Sequence, residues 1–190
     1  MQALPTRVVG ALLLLLSTPL LVMIAGLLML VLGRPILFRQ DRAGLHARPF
    51  EMIKFRTMSL ERDRSGKLLP DDQRLSALGR VLRRSRLDEL PELINIARGD
   101  MAFVGPRPLL LDTISAMGEG GTLRCTVRPG LTGWAQVSGN TLLSNREKLA
   151  LDLWYVSHRS LMLDLEILIR TPAVLLLGER RHSKRLADVQ

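Results

Sequence analysis

The longest apolar run in the chain covers residues 8–32, where "VVGALLLLLSTPLLVMIAGLLMLVL" carries no charged side chain. Wound as one helix it would measure roughly 37 Å, slightly more than the roughly 30 Å hydrocarbon core of a bilayer. Pro19 sits near its middle, behind Ser17 and Thr18. A proline inside a helix removes one N–H and crowds the preceding turn, so a bend is expected there. The two hydroxyls can bond backbone carbonyls that the proline leaves unpaired. Two readings follow: a helix that crosses the membrane, or a helix-break-helix that enters and returns. In the second, each arm of about 11–13 residues is too short to cross alone. A secretory signal fits poorly, because no small-x-small cleavage site follows the leucines. Arg7 precedes the run, and Arg34, Arg39 and Arg42 follow it. By the positive-inside rule both ends then face the cytoplasm.

Beyond the run the pattern shortens. Apolar stretches at 36–38 and 52–55, separated by Gly44 and Pro49, predict a small β-hairpin. Residues 61–73 are polar and turn-rich, a surface loop. Leu75, Leu78, Val81 and Leu82 recur at helical spacing, with Arg80, Arg83, Arg84 and Arg86 between them. Leu90, Leu93, Ile94 and Ala97 share one face of a helix from about 88 to 97, which Gly99 stops. "GPRP" at 105–108 and "RPGLTGWAQVSGN" at 128–140 read as ordered loops. Residues 145–157 and 161–177 are again helical. The second is strongly apolar despite Asp164, Glu166 and Arg170, and with the basic "ERRHSKR" behind it reads as lying in the membrane interface. The sum is a mainly helical α/β chain: a membrane segment over 1–33, one compact domain over 34–177, and a basic tail over 178–190.

Composition narrows the partners. At 190 residues the chain suits a single domain. Its 27 Lys+Arg against 18 Asp+Glu, a net charge of +9, favours an anionic partner. With aromatics at 4% and no recognised binding motif, nucleic acid is disfavoured against phospholipid or a phosphorylated substrate. The single Cys125 excludes an internal disulfide and a Cys-rich zinc site, and His46, His158 and His182 lack metal-ligand spacing. No P-loop, GxGxxG or Ser/His/Asp order appears, which argues against nucleoside triphosphate hydrolysis and serine hydrolase chemistry.

The stretch most suggestive of chemistry is "RRSRLDELPEL" at 83–93. Asp88 and Glu89 stand together just before Pro91, a residue tolerated in a first helical turn. Adjacent carboxylates at a helix start serve as an ordinary cap and dipole partner. They also suit Mg2+ binding, attack on phosphorus or acid/base work beside arginines that neutralise phosphate. Arg83, Arg84, Arg86, Arg107, Arg128, Lys54 and Arg56 supply such cations, either as a solvated basic face or as a phosphate clamp. Asp152 and Tyr155 sit three apart on a helix, a spacing that is as often a surface pair.

Taken in order, "FRQDRAG", "PFEMIKFRTM", "RSRLDELPELINIARGDMAFVGPRPLL", "RPGLTGWAQVSGN" and "LDLWYVSHRSLMLDLEIL" resemble the bacterial sugar transferases, the small monotopic phosphoglycosyl transferases, from about residue 7 to residue 175. The resemblance implies transfer of a sugar phosphate from a UDP-sugar to a membrane polyprenyl phosphate, with UMP released and Mg2+ as cofactor. It implies Asp88 as the nucleophile that holds the phosphosugar, with Glu89 assisting through the metal or the incoming phosphate. Arg107 is implied as a substrate-phosphate contact. Lys54, Arg56, Arg128, Asp152 and Tyr155 occupy further positions of these motifs, and together with Arg83, just ahead of the third motif, they are further substrate-binding candidates. Anionic phospholipid is the implied surface, a homodimer stays open, and the implied location is the cytoplasmic face of a bacterial inner membrane. Two positions depart from the family pattern. Gly10 stands where many relatives carry an acid, and "VSGN" places Ser138 and Asn140 in a loop that could touch the donor. The resemblance also favours the returning helix, with Ser17, Thr18 and Pro19 as its turning point. The competing class is a non-catalytic, membrane-anchored adaptor that binds anionic lipid.

Overall fold

The structure, a computed structural model, describes residues 3–181. The apolar run forms α1 (Ala3–Leu32), which stays helical through Pro19. The bend expected at that proline therefore takes no form of an interrupting loop. Ser17 Oγ and Thr18 Oγ1 both donate to the Leu14 carbonyl, at 3.1 and 2.9 Å, a back-bonding that tilts carbonyls outward and curves helices.

The β-hairpin is present as expected. β1 (Leu37–Ala43) and β2 (Pro49–Phe55) pair antiparallel, with Leu37 opposite Phe55 and Ala43 opposite Pro49. The polar loop after it contains α2 (Asp71–Arg74), and the arginine-rich segment forms α3 (Ala77–Arg84), capped by Ser76 accepting from the Gly79 amide. The helix expected from about 88 starts later. Leu87–Glu89 is a 3-10 turn, Pro91 caps, and α4 (Glu92–Arg98) ends at Gly99, whose φ of 91° only glycine adopts easily.

A parallel strand pair that the sequence pattern does not predict lies just before the 105–108 loop and inside the segment 128–140 read as a loop. β3 (Ala102–Val104) and β4 (Gly130–Thr132) run parallel, Ala102 beside Gly130. A Cβ on Gly130 would stand 2.1 Å from the Gly105 amide nitrogen. The glycines that look like loop punctuation are what let these backbones touch. α5 (Leu111–Ala116) and α6 (Glu119–Arg124) follow β3, and α7 (Trp134–Val137) is a single turn after β4. α8 (Asn145–His158) opens on a capping box between Ser144 and Glu147, and α9 (Leu161–Leu177) contains Pro172. Most of the basic tail lies outside the described residues.

α1 is packed against the domain along both halves. At its start, Arg7 Nε donates to the Ala97 carbonyl at 3.2 Å, and Gly10 is buried where α1 crosses α4. A Cβ there would meet Ile96 Cγ2 at 2.7 Å, so the departure at Gly10 allows two helices to approach closely. Further along, Ile24 and Leu28 are buried with Phe55 and Leu82. The outward side leaves Leu15, Leu16, Val22 and Leu30 exposed. α9 does the same with Leu161, Met162, Leu165 and Ile169, while its inner Ile167 packs with Trp134, Leu151 and Tyr155. Two long helices thus offer apolar surface that water would not tolerate in bulk.

Candidate active site

The 3-10 turn after α3 turns the two acids inward. Arg86 adopts the left-handed conformation at φ 58°, uncommon for a residue with a side chain. Asp88 and Glu89 follow it at 9% and 7% exposure. β2 brings Lys54 beneath them, and the proline-flanked loop after β3 brings Arg107. Lys54 Nζ donates to Glu89 Oε1 at 2.8 Å and lies 3.1 Å from Glu92 Oε1. Arg107 Nη2 and Arg86 Nη1 donate to the same Glu89 Oε1, at 2.7 and 3.3 Å.

This arrangement separates the acids. Burial would raise the Glu89 carboxyl, but Arg107 and Lys54 outweigh it and hold the group down at about 2. Glu92 has less help: burial pushes it up to about 7 against the pull of Lys54. Asp88 is also raised, by burial first and then by the negative charge of Glu89, with Lys54 and Arg83 opposing. Its Oδ1 is buried without a hydrogen-bond partner. Such an atom is costly unless a ligand satisfies it.

Asp88 and Glu89 open onto a cavity of about 780 Å3, walled by Arg42, Lys54, Arg83 and Arg107. The Nε of Arg42 is buried there without a partner. Arg83 Nε donates to Thr57 Oγ1 at 2.9 Å. The volume is within the roughly 300–1,000 Å3 of small-molecule sites. Its walls carry more guanidinium and ammonium groups than carboxylates, a setting for phosphate oxygens.

Lys54, Arg83, Arg86 and Arg107 thus stand together with Asp88 and Glu89. Arg56, Arg128, Asp152 and Tyr155 are engaged elsewhere. Arg56 lines the same cavity but spends its guanidinium on the carbonyls of Pro35, Leu32, Gly33 and Met58, at 2.6 to 3.2 Å. It ties the exit of α1 to the hairpin. Asp152 is buried in α8, where its Oδ2 accepts from Arg124 Nε at 2.7 Å. Arg124 Nη2 in turn donates to the Arg107 carbonyl, so Asp152 reaches the site only through the backbone of that loop. Tyr155 donates to Asp164 at 2.7 Å and, with Arg128, borders a different cavity near the start of α1. Arg128 Nε donates to the Gly99 carbonyl at 2.9 Å. Asn140 donates to Glu179.

Three residues of this cluster escape the sequence reading. Arg42 had a signal: in the hairpin register Phe38 faces Lys54, so alternation puts Arg42 on the face of Lys54. Glu92, three residues after Glu89, had a weaker one. Arg124 had none.

Among the described residues no group of three or more metal-ligating side chains occurs. A Mg2+ ion nonetheless fits, because it commonly takes one or two carboxylates and completes its shell with substrate phosphates and water. Asp88, whose Oδ1 has no partner, would supply one such carboxylate. All three cationic contacts to Glu89 arrive at Oε1, which leaves Oε2 for another.

Comparison with known proteins supplies the context. A family model described as "Bacterial sugar transferase" matches residues 2–178. The chain is 48% identical over 150 residues to the uncharacterized sugar transferase EpsL of Bacillus subtilis, covering 79% of this chain and 74% of that one. It is 41% identical over 185 residues to the UDP-glucose:undecaprenyl-phosphate glucose-1-phosphate transferase of Caulobacter vibrioides, covering 92% and 69%. It is 36% identical over 181 residues to the exopolysaccharide production protein ExoY of Rhizobium meliloti, covering 86% and 80%.

Proposed function

Because this chain belongs to the bacterial sugar transferase family, we propose that it transfers a sugar 1-phosphate from a UDP-sugar to a polyprenyl phosphate and releases UMP, in exopolysaccharide assembly. The observation that carries the reading is the contrast inside the dyad. Glu89 is ionised and held by Lys54, Arg86 and Arg107, while Asp88 keeps a buried oxygen without a partner.

A carboxylate stripped of partners and water is the more reactive nucleophile. Asp88 attacks the β-phosphorus of the UDP-sugar; the bond from that phosphorus to the UMP oxygen breaks, and UMP leaves. The phosphosugar then sits on Asp88 as an acyl phosphate. A phosphate oxygen of the polyprenyl phosphate attacks the same phosphorus, and the Asp88 carboxylate is released. Arg42, Lys54, Arg83 and Arg107 offset phosphate charge, and Arg107 is held in line by its bond to Glu89. When bound by Asp88 and Glu89, Mg2+ would supply charge neutralisation on the diphosphate. The decisive experiment is a UMP-release screen over a panel of UDP-sugars with undecaprenyl phosphate in detergent. Release from one donor is expected. Lipid binding with no nucleotide released from any donor would instead favour the adaptor.

We also infer that α1 enters the cytoplasmic leaflet and returns. Its first half packs at Ala97 and its second at Phe55 and Leu82, all on one domain. A crossing helix would lose one of these contacts or pull the domain's charged surface into hydrocarbon. A cysteine at Leu4, an exposed position, should react with an impermeant maleimide only from the cytoplasmic side. The natural Cys125 is buried and gives little background. Labelling from outside would restore the spanning helix.

A further inference from the structure

Glu89 and Arg107 have a second neighbour. On the side facing α9 lies another cavity, of about 360 Å3, walled by Leu90, Leu93, Phe103, Leu131, Leu168 and Leu175. It is apolar almost throughout, yet it begins at Arg86, Glu89 and Arg107, the groups that also border the polar cavity. At its far side Leu168 and Leu175 are 42% and 41% exposed, continuous with the outward leucines of α9. The Gln136 side chain lines it too, with both amide atoms buried and without a partner. A buried donor left open in this way calls for an acceptor from a ligand.

Cationic at one end, greasy along its length and open towards an apolar surface, the cavity matches an amphiphile with an anionic head. We propose that it holds the first isoprene units of the lipid-phosphate acceptor, with the phosphate between Arg86, Arg107 and Gln136 and the chain leaving past Leu168 and Leu175. The proposal rests on the acceptor being a polyprenyl phosphate. Donor and acceptor then approach Asp88 and Glu89 from opposite sides of Arg107, one from water and one from lipid.

A photolabel tests the location directly on the wild-type chain in detergent. Farnesyl phosphate carrying a diazirine on its first isoprene unit should label peptides spanning 87–93 and 168–175. Undecaprenyl phosphate should suppress that labelling, and phosphatidylglycerol should not. Label confined to 8–32, equal suppression by phosphatidylglycerol, or no label at those peptides would overturn the proposal. A kinetic arm uses Leu175→Trp, which narrows the mouth. Loss of contact with two or so methylenes should raise KM for polyprenyl phosphate about tenfold and leave KM for the UDP-sugar unchanged. Ile169→Trp, on the exposed side of α9, should change neither. A rise in both KM values, or in neither, for Leu175→Trp would count against the site. Should the wild-type chain release no UMP at all, the transferase reading fails. The photolabel still reports whether a lipid phosphate occupies this cavity.

Discussion

Asp88→Asn is expected to lose UMP release by at least about 10^4-fold, the scale on which enzymes lose turnover when a covalent nucleophile is removed. The amide keeps the shape of the side chain and removes the attacking oxygen. The fold should not suffer. Burial raises the Asp88 carboxyl, so a neutral isostere removes a desolvated charge and the melting temperature should stay level or rise. The sign of the pH effect follows from the same shift. A raised pKa keeps Asp88 protonated, and unable to attack, at a higher pH than an ordinary aspartate. The wild-type rate should therefore decline on the acid side sooner than a carboxylate's usual value suggests. Wild type incubated with donor and no acceptor should show a phosphosugar adduct by intact mass, and Asp88→Asn should show none. Full turnover in the variant would remove Asp88 from the role.

Asp152→Ala should fail differently. Arg124 is 3% exposed and its Nε is bonded to Asp152. Taking away the carboxylate leaves a buried cation without its counter-charge, which costs about 3–5 kcal/mol. That is a large share of the roughly 5–15 kcal/mol that holds a typical domain together. Denaturation in detergent should show a loss on this scale. The double change Arg124→Met with Asp152→Leu should recover much of it, since a paired apolar replacement leaves no charge behind. If Asp152 instead touched substrate, the single variant would keep its melting temperature and raise KM for the donor. The two outcomes separate a residue that binds from one that holds the Arg107 loop in place.

Short-range features of this molecule could be read from its residues, and cross-links could not. The hairpin around Gly44, the helices at 145–157 and 161–177, and the stop at Gly99 all follow from local patterns that the backbone obeys wherever it lies. Asp88 and Glu89 could be picked out locally as adjacent acids before a proline, but that pattern also serves as an ordinary helix cap, and only the family resemblance gave them a catalytic role. Arg56 and Asp152 show the limit. Both sit in motifs of a catalytic family, yet one spends its donors on the end of α1 and the other is buried with Arg124, 28 positions away. No periodicity encodes which helix a buried arginine will meet. The strand pair β3 and β4 was hidden for a related reason: its contact depends on glycines that locally signal a turn.

The packing of α1 alters what it means to call residues 1–33 an anchor. Ile24 and Leu28 complete the core around Phe55 and Leu82, and Leu14 does the same beside Leu93 and Ile96. Cutting the chain after Leu32 would not yield a water-soluble enzyme freed from its tether. It would strip the roof from two cores, into which Leu87 and Leu90 pack on either side of the dyad. The helix is not a detachable module, and grafting this domain onto another membrane segment would fail unless the graft reproduced the contacts at Gly10, Leu14, Ile24 and Leu28. The fold of this domain is therefore not independent of α1: two of its cores are complete only with that helix in place.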